Sequence, residues 1–196
     1  MNGRLAKQME FMLEADKSKL VGRQTYLADG SRKENDAEHS WHLALMAALL
    51  AEHAREKIDV GRTMLMTLIH DLVEIDAGDT YAYDEEGKKT KREREVKAAT
   101  RIFNLLPEDQ AAGLMELWEE FEAFETAESK FAHALDCIQP ILLNDATDGR
   151  SWREHQVKKS QVLKRNARTA EGSEDIMELV EHILDENVKK GNLIDE

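Results

Sequence analysis

Only two prolines, Pro107 and Pro140, interrupt the 196 residues of the chain. Proline removes a backbone donor and clashes with the preceding helical turn, so a chain this poor in it can run in long helices. The stretches between are rich in Leu, Ala, Met, Glu, Lys and Arg, which lose little side-chain freedom in a helix. Apolar periodicity predicts helices over about 3–19, 37–57, 60–75, 90–105, 108–122, 127–145, 150–170 and 173–190. No repeat or low-complexity linker divides them, so the expected fold is all-α, a single-domain helical bundle over residues 1–196. Pro140 lies four residues after Asp136, which predicts a kink or a loosened turn just beyond that residue.

The second helix is the most legible. Asn35-Asp36-Ala37-Glu38 has the form of a capping box, and His39, Leu43, Met46, Leu50 and His53 follow at spacings of three and four on one face. Met64, Leu65, Leu68, Ile69, Leu72 and Val73 form the apolar surface of the third. Trp41 is expected as an interhelical anchor, Trp118 and Phe121 as core, and Cys137 as a small buried hydrophobe. Two polar connections, Val21 to Asn35 and Asp76 to Thr90, exceed the length usual inside a compact domain and are candidates for function.

Charge narrows the partners. With 27 basic against 40 acidic residues the formal net charge is −13. A phosphate-backbone binder or an anionic membrane surface would call for the opposite sign, so neither nucleic acid nor membrane is expected. The run Lys88 to Arg94 alternates in sign and reads as a solvated helix start, although one of its cations is placed to meet a phosphate. One cysteine, and no signal-peptide pattern in Met1 to Leu13, point to the cytoplasm.

Three segments carry potential metal ligands: Glu38-His39-Ser40-Trp41-His42, then His70-Asp71 with Glu74 one turn beyond, then Asp136. Imidazole and carboxylate together suit divalent metals such as Mn, Fe, Co, Ni or Zn. Asp136 lies between Leu135 and Cys137, and a carboxylate in apolar surroundings needs a partner. Glu74 shares a helical face with His70, where it could hold a water on the ion. His42 reads as a packing or hydrogen-bonding neighbour of His39.

His39, His70-Asp71 and Asp136, in that order, resemble the H…HD…D signature of the HD-domain metal-dependent phosphohydrolases. The surroundings, Arg23, Glu34-Asn35-Asp36-Ala37-Glu38-His39-Ser40 and His70-Asp71-Leu72-Val73-Glu74-Ile75-Asp76-Ala77-Gly78-Asp79, resemble the subfamily that includes the bacterial 5′-deoxynucleotidase. Pro107-Glu108, Leu117-Trp118-Glu119-Glu120-Phe121-Glu122 and Lys130-Phe131 extend the likeness over most of the chain. It implies an HD-type core over about 20–145, followed by C-terminal helices over about 150–190. His39, His70, Asp71 and Asp136 would ligate one divalent ion (Mn, Co, Ni, Fe, Zn or Mg). Glu74 would be the catalytic carboxylate, Arg23 would contact the substrate phosphate, and Asp79 would lie near the sugar hydroxyls. Where the nucleotidase has a tryptophan after that arginine, this chain has Gln24. The second metal of dinuclear relatives needs further histidines between His70 and Asp136, and only His133 lies there, so a mononuclear site is expected. The resemblance also implies a homodimer. The expected substrate is a (deoxy)nucleoside 5′-monophosphate. The alternatives are another nucleotide or phosphate ester, or a metal- and nucleotide-binding module without turnover.

Overall fold

The structure, a computed structural model, describes residues 3–80 and 85–195. Helices α1 (Gly3–Ala15), α2 (Asp36–Leu49), α3 (Val60–Ile69), α4 (Glu74–Ala77), α5 (Glu85–Phe103), α6 (Glu108–Ala123) and α7 (Ala127–Ala146) come first. Then follow α8 (Arg150–Glu154), α9 (Lys159–Arg165), α10 (Thr169–Gly172) and α11 (Glu174–Lys189). The all-α expectation holds apart from one hairpin, β1 (Gly22–Tyr26) with β2 (Lys33–Asn35), antiparallel through Gly22↔Asn35 and Tyr26↔Lys33.

That hairpin replaces what the sequence presented as a polar connection. Its turn is written in Asp29-Gly30: Gly30 sits at φ +69°, its N–H reaches the Leu27 carbonyl, and Asp29 accepts from the Ser31 N–H. The strands are too short and too polar to show a period of two. Tyr26 pins the hairpin to α8 by donating to Glu154 and stacking under the Arg150 guanidinium.

The capping box forms as expected, with Asn35 Oδ1 accepting from the Glu38 N–H and Glu38 Oε2 from the Asn35 N–H. Helix α2 nevertheless stops at Leu49, short of 57, and the Arg55 N–H is spent on the Gly172 carbonyl across the fold. The third expected helix divides into α3, a 3₁₀ turn at His70–Val73, and α4, which ends where Gly78 takes φ +74°. The stretch expected as 150–170 breaks into α8, α9 and α10. Gln156 adopts φ +52° after α8, and Lys158 pairs with Ile194 from the chain's end. Pro140 does not divide α7, which runs through it unbroken from Ala127 to Ala146. The missing N–H therefore removes one rung without ending the helix.

Two apolar clusters share α7. Leu43, Phe131, Leu135, Ile138, Trp152, Val180 and Leu184 belong to one; Phe11, Met66, Ile102, Phe103, Trp118, Phe121 and Ala132 belong to the other. Phe131 and Ala132, about 100° apart on the helix, thus face different clusters, and α7 is gripped by both. Trp118 and Phe121 are core as expected, but Trp41 is 63% exposed. Two residues along a helix from buried His39, it lies about 200° round, and it shares its outward stripe with Leu45 and Leu49.

Candidate metal centre and pocket

Three elements bring the four expected ligands together. His39 comes from the first turn of α2, His70 and Asp71 from the 3₁₀ turn after α3, and Asp136 from the middle of α7. His39 Nε2 lies 3.0 Å from Asp136 Oδ1 and 3.8 Å from Asp71 Oδ2, while His70 Nε2 lies 3.2 Å from Asp71 Oδ2. Donor atoms of His39, His70 and Asp136 all fall within 4.8 Å of one another, and those of Asp36, Asp71 and Glu74 do likewise.

Hydrogen bonds set which imidazole nitrogen is available. Gln139, fully buried on α7, donates through Nε2 to Glu34 Oε2 at 2.9 Å and to His42 Nδ1 at 3.3 Å. Its Oε1 must therefore face His39 Nδ1, 3.0 Å away, and that nitrogen donates. His70 Nδ1 likewise donates to the Thr67 carbonyl at 2.8 Å. Both Nε2 atoms are left pointing into the site. That of His39 faces a carboxylate oxygen, a contact repulsive unless a cation or proton intervenes. That of His70 is buried with no hydrogen-bond partner. Two imidazoles presenting Nε2, each fixed from behind through Nδ1, beside two carboxylates form a donor set that fits one divalent cation.

Charge makes the same point. Glu34, Asp36, Asp71, Glu74, Asp79 and Asp136 crowd around Arg23, which reaches Glu34 at 3.2 Å, Asp71 at 3.0 Å and Asp36 at 3.6 Å. Burial, reinforced by Asp71, Asp36 and Asp79, pushes the Glu74 carboxyl up to about 10. Burial and Asp71 push Asp36 up to about 8. Burial raises Glu34 to about 7 against the pull of Arg23, and it raises Asp79. Burial and the Arg23 charge hold His39 neutral down to about 4. At His70 burial disfavours the proton, but Asp71 and Asp136 outweigh it and keep it up to about 9, so without a cation Nε2 holds a proton towards Asp71, in the place a metal ion would take. Arg23, with Arg165 3.4 Å from Asp136, still leaves six carboxylates short of positive charge, and a divalent ion among the four ligands would supply it.

Glu74 begins α4, is buried, and has Oε2 without a partner. Asp79 lies just past Gly78 in the pocket wall, with Arg23, Gln24, Thr80 and Lys91. Lys91 is the cation of the Lys88–Arg94 run that faces the pocket, its Nζ 3.3 Å from Glu95; the Lys88 side chain lies outside the described residues. Arg23 is more heavily committed than the sequence suggests, because the carboxylates already hold its guanidinium in place. His42 takes the supporting role expected of it through Gln139. His133 turns away from the site, stacking on Phe121 at 3.9 Å and bonding its carbonyl. Sequence reasoning missed Glu34, Asp36 and Gln139 as site residues, although the first two stand in the quoted segment and Gln139 is one turn from Asp136. It also missed the contribution of α8 and α9, which place Ser151, Trp152, Val162, Arg165 and Asn166 around the same pocket.

Helices of this order, with two histidines and two aspartates at their centre, define a helical scaffold built around a candidate metal site. The model of the HD domain family matches residues 15–177, and the chain belongs to that family. A solved structure from Magnetospirillum magnetotacticum MS-1, described as a predicted metal-dependent phosphohydrolase, superposes with TM-score 0.93 at 52% identity, covering 97% of this chain and 96% of that one. Among curated relatives, human 5′-deoxynucleotidase HDDC2 is 36% identical over 111 residues, 57% of this chain and 53% of its own length. Its bovine counterpart is 33% identical over 144 residues, 72% of this chain and 69% of its own. The match thus spans about half of the human relative. No helix among the described residues is long and apolar enough to cross a membrane.

Proposed function

We propose that this chain is a metal-dependent phosphohydrolase that cleaves the phosphomonoester of a (deoxy)nucleoside 5′-monophosphate in the cytoplasm. The carrying observation is the pair of imidazoles with Nδ1 tied back and Nε2 left to a cation, 3.0 to 3.8 Å from Asp136 and Asp71. The names of its relatives supply the substrate class.

His39, His70, Asp71 and Asp136 hold one divalent ion, which when bound supplies Lewis acidity towards water and a phosphoryl oxygen. Arg23, oriented by Glu34 and Asp71, presents its fork to the phosphate oxygens. Glu74, whose carboxyl would be ionised once a cation offsets its acidic neighbours, takes the proton of the attacking water through Oε2 and returns one to the departing 5′ oxygen as the P–O bond breaks. Asp79 accepts from a sugar hydroxyl. Gln24, held by Lys33 Nζ at 2.5 Å, stands where a tryptophan would close over the sugar, and it leaves that wall open. The outward stripe of Trp41, Leu45 and Leu49 supports a homodimer, which light scattering on the eluting protein tests.

The test is phosphate release from nucleoside 5′-monophosphates with Mn, Co, Ni, Mg and Zn in turn. We expect turnover with at least one metal and a fall of about 10² to 10⁴ in Glu74→Ala. Absence of release with every metal and nucleotide would overturn the reading.

A further inference from the structure

Helix α9 brings a second arginine to the pocket that holds the metal ligands. Arg165, the last residue of that helix, lines the pocket with Arg23 and Lys91, and its Nη2 lies 3.4 Å from Asp136 Oδ2. Asp136 turns its other oxygen, Oδ1, to His39 Nε2 at 3.0 Å. Arg23 stands in a similar relation to Asp71, whose Oδ2 it meets at 3.0 Å and which lies 3.8 Å from the same His39 Nε2. Each aspartate of the ligand set therefore has an arginine beside it, one from β1 and one from α9.

The backbone under Arg165 is held in place. Asn166 is buried, donates through Nδ2 to the Val162 carbonyl at 2.8 Å and accepts from Thr169 Oγ1 at 3.3 Å. The Cys137 thiol, next to Asp136 on α7, donates to the Arg165 carbonyl at 4.0 Å. The end of α9 is thus tied to the helix that carries Asp136, while the Arg165 side chain stays 33% exposed.

The two arginines are engaged to different degrees. Arg23 divides its charge among Glu34, Asp36 and Asp71 at 3.0 to 3.6 Å. Arg165 meets Asp136 well beyond the roughly 2.7–2.9 Å of a tight charge-assisted pair. A carboxylate engaged by a cation has little charge left for so long a contact, and a phosphate oxygen can replace it. The charge of Arg165 also reaches across the pocket: burial raises the Asp79 carboxyl, and Arg23, Arg165 and Lys91 pull it back.

Resting on the phosphohydrolase reading above, we propose that Arg165 is a second phosphate-binding residue, meeting the substrate phosphate from the α9 side while Arg23 meets it from β1. In the substrate complex its guanidinium exchanges Asp136 Oδ2 for phosphate oxygens, to which its planar fork of donors is matched.

The experiment compares wild type, Arg165→Ala and Arg165→Lys. Calorimetry at saturating manganese gives the Kd for inorganic phosphate, competition with a chelator gives the manganese Kd, and hydrolysis of deoxyadenosine 5′-monophosphate gives KM and kcat. Arg165→Ala is expected to weaken phosphate binding about 10- to 100-fold and to raise KM by a similar factor. Its manganese affinity should hold or tighten, because a positive charge beside Asp136 is removed. Arg165→Lys keeps the charge without the fork and should recover part of the phosphate affinity. Phosphate binding within twofold of wild type in Arg165→Ala, or no phosphate binding by wild type, would overturn the proposal. So would a manganese affinity weakened in step with phosphate, which would make Arg165 a positioning residue for Asp136. Phosphate binding that depends on Arg165, in a protein that hydrolyses no nucleoside 5′-monophosphate, would sustain the proposal and sink the hydrolase reading; hydrolysis with phosphate binding indifferent to Arg165 would do the reverse.

Discussion

Gln139 is the residue through which the metal centre can be perturbed without touching a ligand. Gln139→Met keeps the volume of a fully buried side chain and deletes three hydrogen bonds: the one accepted from His39 Nδ1 at 3.0 Å, and those donated to Glu34 at 2.9 Å and His42 at 3.3 Å. With no acceptor at Nδ1, His39 is free to carry its proton on Nε2, and metal binding must first move it. Loss of such a supporting bond weakens metal binding by about 10- to 100-fold, or roughly 1.4 to 2.7 kcal/mol. Folding suffers separately. Glu34 loses its neutral donor while buried, a cost of about 1–3 kcal/mol that Arg23, still 3.2 Å away, holds towards the lower end.

The two effects are measured apart. Competition with a chelator of known affinity gives the metal Kd, and thermal unfolding of the metal-free protein gives the stability change, about 2–4 °C per kcal/mol for a chain of this size. We expect the Kd of Gln139→Met to rise at least tenfold and the metal-free melting temperature to fall by several degrees. A lowered melting temperature with a metal Kd within twofold of wild type would refute the tautomer argument, leaving Gln139 a packing residue.

Two further outcomes follow from parts of the fold remote from the ligands. In Gly172→Ala the new Cβ would run into the Lys130 carbonyl oxygen, a backbone atom that cannot swing aside, so overpacking should cost about 1–3 kcal/mol, read as a lower melting temperature; an unchanged one would contradict the close approach of α10 to α7. Hydrogen bonds from Lys17 and then Arg101 hold the Glu14 carboxyl below its ordinary range, so the folded protein binds its proton less tightly than the unfolded chain. That contribution is present above the ordinary carboxylate pKa and disappears as pH falls through the lowered value; the melting-temperature gap between wild type and Glu14→Gln should close on acidification, and a gap constant with pH would exclude it.

Local signals carried the sequence reading where the chemistry is local. Asn35 and Glu38 cap α2 through bonds to each other's backbone, three residues apart, so the start of the helix that bears His39 is written in its own first turn. Asp136 was legible because a carboxylate between apolar neighbours demands a partner. What was not legible depends on distant segments. Leu49 ends α2 where the backbone of Arg55 finds Gly172, and the 150–170 stretch breaks where Lys158 meets Ile194, residues that no window along the chain connects. Trp41 looked like an anchor because tryptophan usually buries; the phase of its helix, set by His39 and Leu43, turns it outward. Gln139 carries no signal of its own type, since its role comes from Glu34, 105 positions away.

The net charge of −13 and an anionic substrate seem at odds only when the charge is treated as uniform. Six of the carboxylates are gathered around the pocket's charged end, where burial raises the proton affinity of Glu34, Asp36, Glu74 and Asp79, Asp71 and Asp136 stay ionised beside the histidines and arginines, and Glu34 and Asp71 hold Arg23 in place. Without a cation that end repels phosphate. A divalent ion among His39, His70, Asp71 and Asp136 reverses the local potential, and the low-dielectric walls keep water from screening it. The acidic cluster therefore makes phosphate binding conditional on the metal: substrate affinity should depend on metal occupancy far more steeply than on ionic strength, the opposite of a site that draws anions with surface lysines.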